Sequence, residues 1–135
     1  MSVFIVDLEN QAGELARLCE AMAGRGVNLI LCATTREEVG TVAFIADNEA
    51  TAEAALTEAG VGYTKRTALT IRMENQPGVG AATFRKLADA GVNTDLLVPV
   101  RISNDLFFAV LCVDDPDKAR RALGVQVVSE NDFVL

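Results

Sequence analysis

The sequence predicts an α+β protein made of two tandem βαββαβ units. Three observations support this fold class. The chain repeats itself, each copy alternates strand-like and helix-like segments in the same order, and half of the 135 residues are hydrophobic. That apolar fraction allows packed cores and is too high for a disordered chain. We therefore expect two small ordered domains, residues 1–66 and 67–135.

The repeat is visible when the chain is compared with itself at an offset of 65 residues. Of the 28 positions from 9 to 36, 11 are then identical, and most lie in two blocks, 9–13 with 74–78 and 26–28 with 91–93. Arg36 falls on Arg101 at this offset. Further on the offset becomes 67, so that Asp47 meets Asp114. We expect the two-residue insertion to lie in a hairpin or loop, where insertions are tolerated.

The elements of the first copy follow from periodicity and composition. Residues 2–8 are β-branched and apolar, which predicts a strand, and the polar turn at 10–13 ends it. A helix should follow, with an inner face spaced i, i+3, i+4, i+7 and made of Leu15, Leu18, Cys19 and Met22. Gly24 and Gly26 should end this helix.

The rest of the first copy reads as a hairpin, a helix and a last strand. Strands are predicted at 28–35 and 39–46, with a turn at 36–38. Asp47 or Asn48 can cap the second helix. Its predicted inner face consists of Ala52, Ala55, Leu56 and Ala59. Gly60 should end the helix, and a fourth strand is expected near 61–66.

The second copy repeats this order. A first strand includes residues 71–73, and the next helix should bury Phe84, Leu87 and Ala88. Strands are predicted at 94–101 and 106–113. The last helix should begin at Asp115-Pro116, with aspartate as the cap and proline in the first turn, and should turn Ala119, Ala122 and Leu123 inward. The last strand should begin within 125–128.

In each unit, two helices must cover one face of a four-stranded antiparallel sheet, which is the ferredoxin-like arrangement. The third strands, 42–46 and 106–111, are nevertheless apolar on both faces. A sheet with helices on one side only should alternate apolar and polar residues. We expect the second face to be covered as well, either by the other unit or by another chain, and expect a homo-oligomer, most simply a homodimer.

Composition excludes several classes of function. The net charge of −7 argues against nucleic-acid and anionic-lipid binding. The absence of histidine removes Ser-His-Asp and Cys-His catalysis. Cys19, Cys32 and Cys112 are odd in number and form no C-x-x-C motif, so we expect reduced, buried thiols and a cytoplasmic protein. Residues 1–10 do not resemble a signal peptide, and no apolar run is long enough to cross a bilayer.

The turn between the first strand and the first helix is the most informative motif. It reads N-Q-A-G at 10–13 and N-Q-P-G at 75–78. A helix start presents unpaired N–H groups that can bind a carboxylate, and an Asn amide can bind both ends of a zwitterion. Glycine permits close approach of a ligand, and proline fixes the turn. The alternative is structural: Asn caps the helix, and Gly and Pro only shape the turn.

Each copy resembles the ACT domain family, whose pattern is a first strand, an N-x-P-G turn, an amphipathic helix, a G-V-N or G-I-N sequence and a hairpin. The whole chain resembles the short stand-alone ACT pairs. The resemblance implies binding of amino acids, or occasionally of other small molecules, by modules that carry no catalytic domain, and we expect no cofactor, metal or catalytic residue. It also implies a ligand held between modules by the turn of one and the second strand of its neighbour. The implied ligand-binding residues are Asn10, Gln11, Ala12, Gly13, Glu14, Leu15, Asn28, Leu29, Asn75, Gln76, Pro77, Gly78, Val79, Gly80, Asn93 and Thr94.

The two copies differ at this motif. Ala12 replaces the proline that is usual in the family, and Gly80 stands where the first copy has Leu15. The space at Gly80 could admit a ligand side chain, or it could allow strand and helix to approach closely. Asp95, whose counterpart at the same offset is Ile30, could accept an ammonium or be a surface carboxylate. Arg36 and Arg101 could pair with a ligand carboxylate or be solvated hairpin residues.

Three classes of function remain. The first is a ligand-binding regulatory protein, and the second is a non-catalytic regulatory or assembly subunit of an amino-acid biosynthetic enzyme. The third, a small enzyme, is disfavoured because the chain has no histidine, Gly-rich phosphate loop or metal-binding motif. An RNA-binding sheet of the same strand order would need exposed aromatic residues and basic charge, which Tyr63 and a charge of −7 do not supply.

Overall fold

A computed structural model describes residues 1–132 of the chain. The first half contains β1 (Ser2–Glu9), α1 (Glu14–Ala23), β2 (Leu29–Arg36), β3 (Val39–Ala46), α2 (Glu49–Glu58) and β4 (Thr64–Thr67). The second half contains β5 (Leu69–Glu74), α3 (Val79–Asp89), β6 (Thr94–Ser103), β7 (Leu106–Val113), α4 (Pro116–Leu123) and β8 (Val127–Val128). The predicted order βαββαβ is confirmed in both halves.

Each half forms its own four-stranded sheet, with strand orders β2-β3-β1-β4 and β6-β7-β5-β8. This is the ferredoxin-like order that the sequence predicted. One compact unit comprises Ser2–Arg66, and the other comprises Met1 and the described residues from Thr67 to Asp132. Met1 belongs to the second unit because its carbonyl accepts a hydrogen bond from the N–H of Ala68, at 3.2 Å.

The core of the first unit lies between its sheet and its two helices. Phe4 and Phe44 are fully buried on neighbouring strands, and their rings stack with centroids 5.1 Å apart. The other buried members are Val6, Leu18, Met22, Val27, Val42, Ala52, Ala55 and Leu56. The helices thus cover one face of the sheet, as predicted.

The second unit repeats this core with different side chains. Its buried members are Leu69, Ile71, Met73, Leu87, Val92, Ala109, Leu111, Val113, Ala119 and Leu123. Half-buried residues such as Phe84, Leu97 and Phe107 pack against this cluster at its margin. No aromatic residue is among the buried members, because the positions of Phe4 and Phe44 are taken by Leu69 and Leu111.

The first helix of each unit buries a narrower stripe than the sequence predicted. Leu15 is 40% exposed and Ala88 is also exposed, whereas Thr83, which the periodicity did not single out, is buried. The hydroxyl of Thr83 is tolerated there because it accepts a hydrogen bond from Gln126 Nε2 at 2.9 Å. In α2 the predicted inner residue Ala59 is exposed, since the helix ends before it. Asn48 caps α2 and Asp115 caps α4, as predicted.

The last strand of each unit starts later than predicted. Residues 61–63 precede β4 without strand structure, and β8 contains only Val127 and Val128. A short 3₁₀ turn, Gly124–Gln126, occupies the beginning of the predicted last strand and leaves Val125 87% exposed. The chain leaves α4 through this 3₁₀ turn, so Val125 cannot adopt the extended backbone of a strand although it is apolar.

The two-residue insertion between the copies is not in the hairpin turn. The pairing of β6 with β7 shifts twice, between Thr94 and Leu96 and between Pro99 and Arg101, while β2 pairs with β3 without a shift. Each shift is a β-bulge, in which two residues oppose one. The hairpins are otherwise alike: Arg36 pairs with Val39, and Ser103 pairs with Leu106. The extra residues of the second copy are therefore Asp95 and Val100.

The faces of the two sheets that point away from the helices also carry buried residues. The apolar ones are Val3, Ala43 and Ile45 in the first unit and Val98, Phe108, Val110 and Cys112 in the second, where Thr70 is buried beside Val110. Their burial agrees with the continuous apolar runs of β3 and β7.

Glu49 supplies a pH-dependent contribution to the stability of the first unit. It accepts hydrogen bonds from the N–H of Ser2 at 2.7 Å and pairs with Lys65 Nζ at 2.8 Å. Lys65 also pairs with Glu53 and lies 5.4 Å from the centre of the Phe4 ring. Partial burial pushes the pKa of Glu49 upward, but the bonds from Lys65 and Ser2 outweigh it and hold the pKa below 4.5.

Because the folded pKa is depressed, the contribution of Glu49 is present above its unfolded pKa and is lost as the pH falls through the folded value. We expect Glu49→Gln to lower the free energy of unfolding at neutral pH and to have little effect in acid. Urea unfolding at pH 7 and below pH 4 measures the difference. Glu20→Gln, at an exposed position of α1, is the control. An equal loss at both pH values would contradict the assignment.

Candidate functional site

The two strand-to-helix turns have the same backbone conformation. Gly13 and Gly78 immediately precede α1 and α3, with φ of 96° and 90°, in the left-handed region. Side chains with a Cβ rarely adopt this conformation, so both positions require glycine. This explains why the glycine is kept in both copies although the residue before it differs.

The side chain of Asn10 does not cap the helix, so the purely structural interpretation of this residue as a cap is wrong. Its Nδ2 donates to the carbonyl of Glu37 at 2.9 Å, and its backbone N–H donates to the carbonyl of Glu38 at 2.8 Å. In the second copy the backbone N–H of Asn75 donates to the backbone carbonyl of Asp105 at 2.7 Å. These bonds attach each turn to the hairpin of its own unit. A helix cap would have bonded only to the helix that follows the turn.

The helix starts keep unpaired donors. The first helical residues, Glu14 and Val79, donate weakly to Gln11 and Gln76, at 3.3 Å in both cases. Across the described residues, nothing accepts a hydrogen bond from the N–H groups of the next two residues, which are Leu15 and Ala16 in α1 and Gly80 and Ala81 in α3. These groups lie at the positive end of the helix dipole, where an anionic ligand group is favoured.

A cavity of about 230 Å³ opens beside the turn of the second unit. It is lined by Met73, Glu74, Asn75, Gln76, Gly80, Phe84, Leu97 and Phe107. A Cβ built on Gly80 would meet no atom within 4 Å. The glycine is therefore not required for close approach of strand and helix, and the space beside it is open.

Three of the predicted site residues of the second turn line this cavity, and three others do not. Asn75, Gln76 and Gly80 line it, whereas Val79 lines an adjoining cavity of about 450 Å³ that shares Met73 and Glu74 with the first and is completed by Arg72, Leu106, Val125 and Gln126. Pro77 and Gly78 are exposed on the outside of the turn. The sequence did not single out Met73, Leu97 and Phe107 for this site, and it assigned Phe84 to the core.

A comparison of the copies could have revealed this lining. The sheet register makes Gly40 the counterpart of Phe107, since Leu8 faces Gly40 as Met73 faces Phe107. The repeat makes Cys19 the counterpart of Phe84. Two aromatic side chains are thus peculiar to the second copy, and they lie beside the glycine that is also peculiar to it.

The first turn has different surroundings. Asn10 and Gln11 line an acidic groove of about 410 Å³ together with Glu9, Glu37 and Glu38. Ala12, Gly13 and the side chain of Leu15 are exposed. Glu14 pairs with Arg17 at 2.9 Å. Two sites with the same backbone therefore differ in charge and in shape.

The second-strand part of the predicted site lies at the opposite end of each sheet. Asn28 exchanges hydrogen bonds with Asp47, and Asn93 does so with Asp114, at 2.9–3.2 Å. Leu29 and Thr94 follow at the starts of β2 and β6. The turn is attached to the other end of β2, about 23 Å away for an eight-residue strand. Within one unit, the two parts of the predicted site do not meet.

The sheet register also corrects two equivalences drawn from the sequence. Arg36 and Arg101 are not counterparts, because Arg101 faces Phe108 at a position that corresponds to Thr34. Arg101 is exposed and donates to Ser103 Oγ at 3.2 Å. Asp95 is not the counterpart of Ile30 but the inserted residue of the first bulge, where it accepts a hydrogen bond from Asn93 Nδ2 at 2.9 Å.

Burial raises the pKa of the Cys32 thiol, which disfavours the reactive thiolate. Within residues 1–132, no three cysteine or carboxylate side chains are grouped so that they could hold a metal ion. The longest helix of that part of the chain, α3, has 11 residues, and no helix there is long and apolar enough to span a bilayer.

Comparison with known proteins agrees with this architecture. A family model described as an ACT domain pair matches residues 1–134. A protein of Bacteroides thetaiotaomicron has a similar structure, with a TM-score of 0.81 and 24% identity over 90% of this chain and 85% of that one. No curated protein sequence matches this chain.

Two similar structures contain subunits of aspartate kinase. The regulatory subunit of aspartate kinase from Thermus thermophilus has a TM-score of 0.68 and 19% identity, over 93% of this chain and 90% of that one. A structure of aspartokinase alpha and beta subunits has a TM-score of 0.64 and 16% identity, over 93% of this chain and 90% of that one. At these identities the likeness establishes a shared fold.

Proposed function

This chain belongs to the family of ACT domain pairs, and from that premise we propose that it is a non-catalytic, cytoplasmic regulatory protein that binds an amino acid. The observation that carries the proposal is the cavity beside the second turn, with open N–H groups on Gly80 and Ala81 at its helix start. The α-carboxylate of an amino acid fits these donors. Its ammonium group fits the oxygens of Glu74, Asn75 and Gln76.

We further propose that the ligand is bound between modules. The turn and the start of the second strand lie at opposite ends of a sheet, so a ligand that touches both must lie between two modules. In this arrangement Asn93 and Thr94, or Asn28 and Leu29, would complete a site formed by the turn of a neighbour. A homodimer would supply such neighbours, and size-exclusion chromatography with light scattering measures that state.

Regulation would follow from a population shift. A ligand that contacts two modules stabilises the arrangement in which both contacts exist, and a partner enzyme that binds this arrangement better then responds to the ligand. No chemical step is required of the protein itself.

A thermal-shift screen of the twenty amino acids, followed by calorimetry, tests the proposal. At 100 times its dissociation constant, a ligand should increase the free energy of unfolding by about 2.7 kcal/mol. Stabilisation by at least one amino acid is the expected result. If no amino acid stabilises the protein, the proposal is wrong.

The second candidate is a regulatory or assembly subunit without a ligand of its own. It is supported by the likeness in fold to the regulatory subunit of aspartate kinase from Thermus thermophilus. A negative ligand screen combined with stable association with an enzyme of amino-acid metabolism would support this candidate.

A further inference from the structure

We propose that the cavity of the second unit selects an amino acid with an uncharged, apolar side chain of about the size of leucine, methionine or phenylalanine. This inference rests on the proposed function and adds the chemical class of the ligand. It is drawn from the side chains that line the cavity.

Four of the residues that line the cavity have large apolar side chains. Met73 and Phe107 face each other on β5 and β7, Leu97 extends from β6, and Phe84 extends from α3. Phe84, Leu97 and Phe107 are half-buried, because part of each packs against the core of the unit. The part that remains uncovered lines the cavity, so an apolar ligand side chain would remove apolar surface from water.

The polar residues of the lining belong to the end of β5 and the turn before α3. Glu74, Asn75 and Gln76 line the cavity together with Gly80, whose N–H group is open. These groups match the ammonium and carboxylate that every amino acid carries. The ligand would thus lie with its backbone at the turn and its side chain against the apolar residues.

The charge of the lining disfavours charged ligand side chains. Glu74 is the single charged residue among those that line the cavity, and the nearest arginine of this strand, Arg72, lines the adjoining cavity that shares Met73 and Glu74. A ligand carboxylate in the apolar part would be desolvated without a cation and repelled by Glu74. A ligand lysine would lose the hydration of its ammonium group against Phe84 and Phe107, while Glu74 is occupied by the α-ammonium group.

The size of the cavity fits one such molecule. At about 30 Å³ for each water, 230 Å³ corresponds to on the order of eight waters, which is comparable to a medium-sized amino acid. The lining is a property of the second copy. The first copy has Leu15, Cys19 and Gly40 in place of Gly80, Phe84 and Phe107.

Calorimetry with the full chain tests the class of ligand. We expect at least one of L-leucine, L-methionine and L-phenylalanine to bind at least about 100-fold more tightly than L-aspartate and L-lysine. Preferential binding of aspartate, lysine or glycine would overturn the inference and leave the proposed function intact. If no amino acid binds, both are overturned.

Two variants of the lining locate the selectivity. Phe84→Cys introduces the residue of the first copy, and Phe107→Leu reduces the lining more mildly in case the first variant does not fold. We expect either change to weaken binding of the preferred apolar amino acid by about tenfold. Ile102→Ala, which shortens an exposed apolar side chain of the same unit outside the cavity, should change nothing. Unchanged affinity in both folded lining variants would overturn the inference.

Discussion

Replacement of Gly80 by leucine should abolish amino-acid binding without harming the fold. The added side chain has no neighbour within 4 Å of its Cβ and would extend into the 230 Å³ cavity, where it would occupy the ligand's place. The stabilisation of about 2.7 kcal/mol expected at 100 times the dissociation constant should disappear. The unliganded protein should be as stable as before or more stable, because leucine is a better helix former than glycine by up to about 1 kcal/mol.

The chain itself shows that the position accepts leucine, since Leu15 is the second residue of α1 as Gly80 is of α3. Ala82→Leu is the matched control, because it adds the same side chain at an exposed position of α3 that does not line the cavity and whose N–H group already donates to Gly78. Calorimetry gives the affinity, and thermal unfolding without ligand gives the stability. Binding by Gly80→Leu with unchanged affinity would place the ligand elsewhere.

Replacement of Phe44 by alanine should remove about 3–5 kcal/mol from the free energy of unfolding. Phe44 is fully buried on the central strand β3. It pairs with Phe4 on β1 and with Leu31 on β2, and its ring stacks on the ring of Phe4. The helices contribute Leu18, Met22, Leu56 and two alanines to this core. These side chains are already packed there, so the cavity left behind would be filled incompletely. Because whole domains are stable by only about 5–15 kcal/mol, the loss is a large fraction of the total.

Urea unfolding followed by circular dichroism measures this loss. Val39→Ala, on the same strand but 49% exposed, should cost no more than about 0.5 kcal/mol. A loss below about 1 kcal/mol for Phe44→Ala would show that the core of the first unit does not depend on this pair of rings.

How far the sequence predicted the candidate site can be judged from individual residues. It located the two turns, because N-Q-x-G recurs in register, and it identified Gly80 as a difference between the copies. It could not decide between the two interpretations of Gly80, because free space depends on atoms from β5, β6 and β7 that are distant in sequence. It assigned Phe84 to the core, since periodicity marks the face of a helix and does not show where the packing of that face ends.

The sequence by itself determined the duplication, the order of elements and the capping residues Asn48 and Asp115, because these depend on local patterns that each copy carries in full. Only the tertiary structure decided the register. Two single-residue bulges in β6 take up the insertion, which separates Arg36 from Arg101 and makes Asp95 an added residue. A bulge is defined by which residues hydrogen-bond across two strands, and that pairing is a non-local property that residue identities along one strand do not specify.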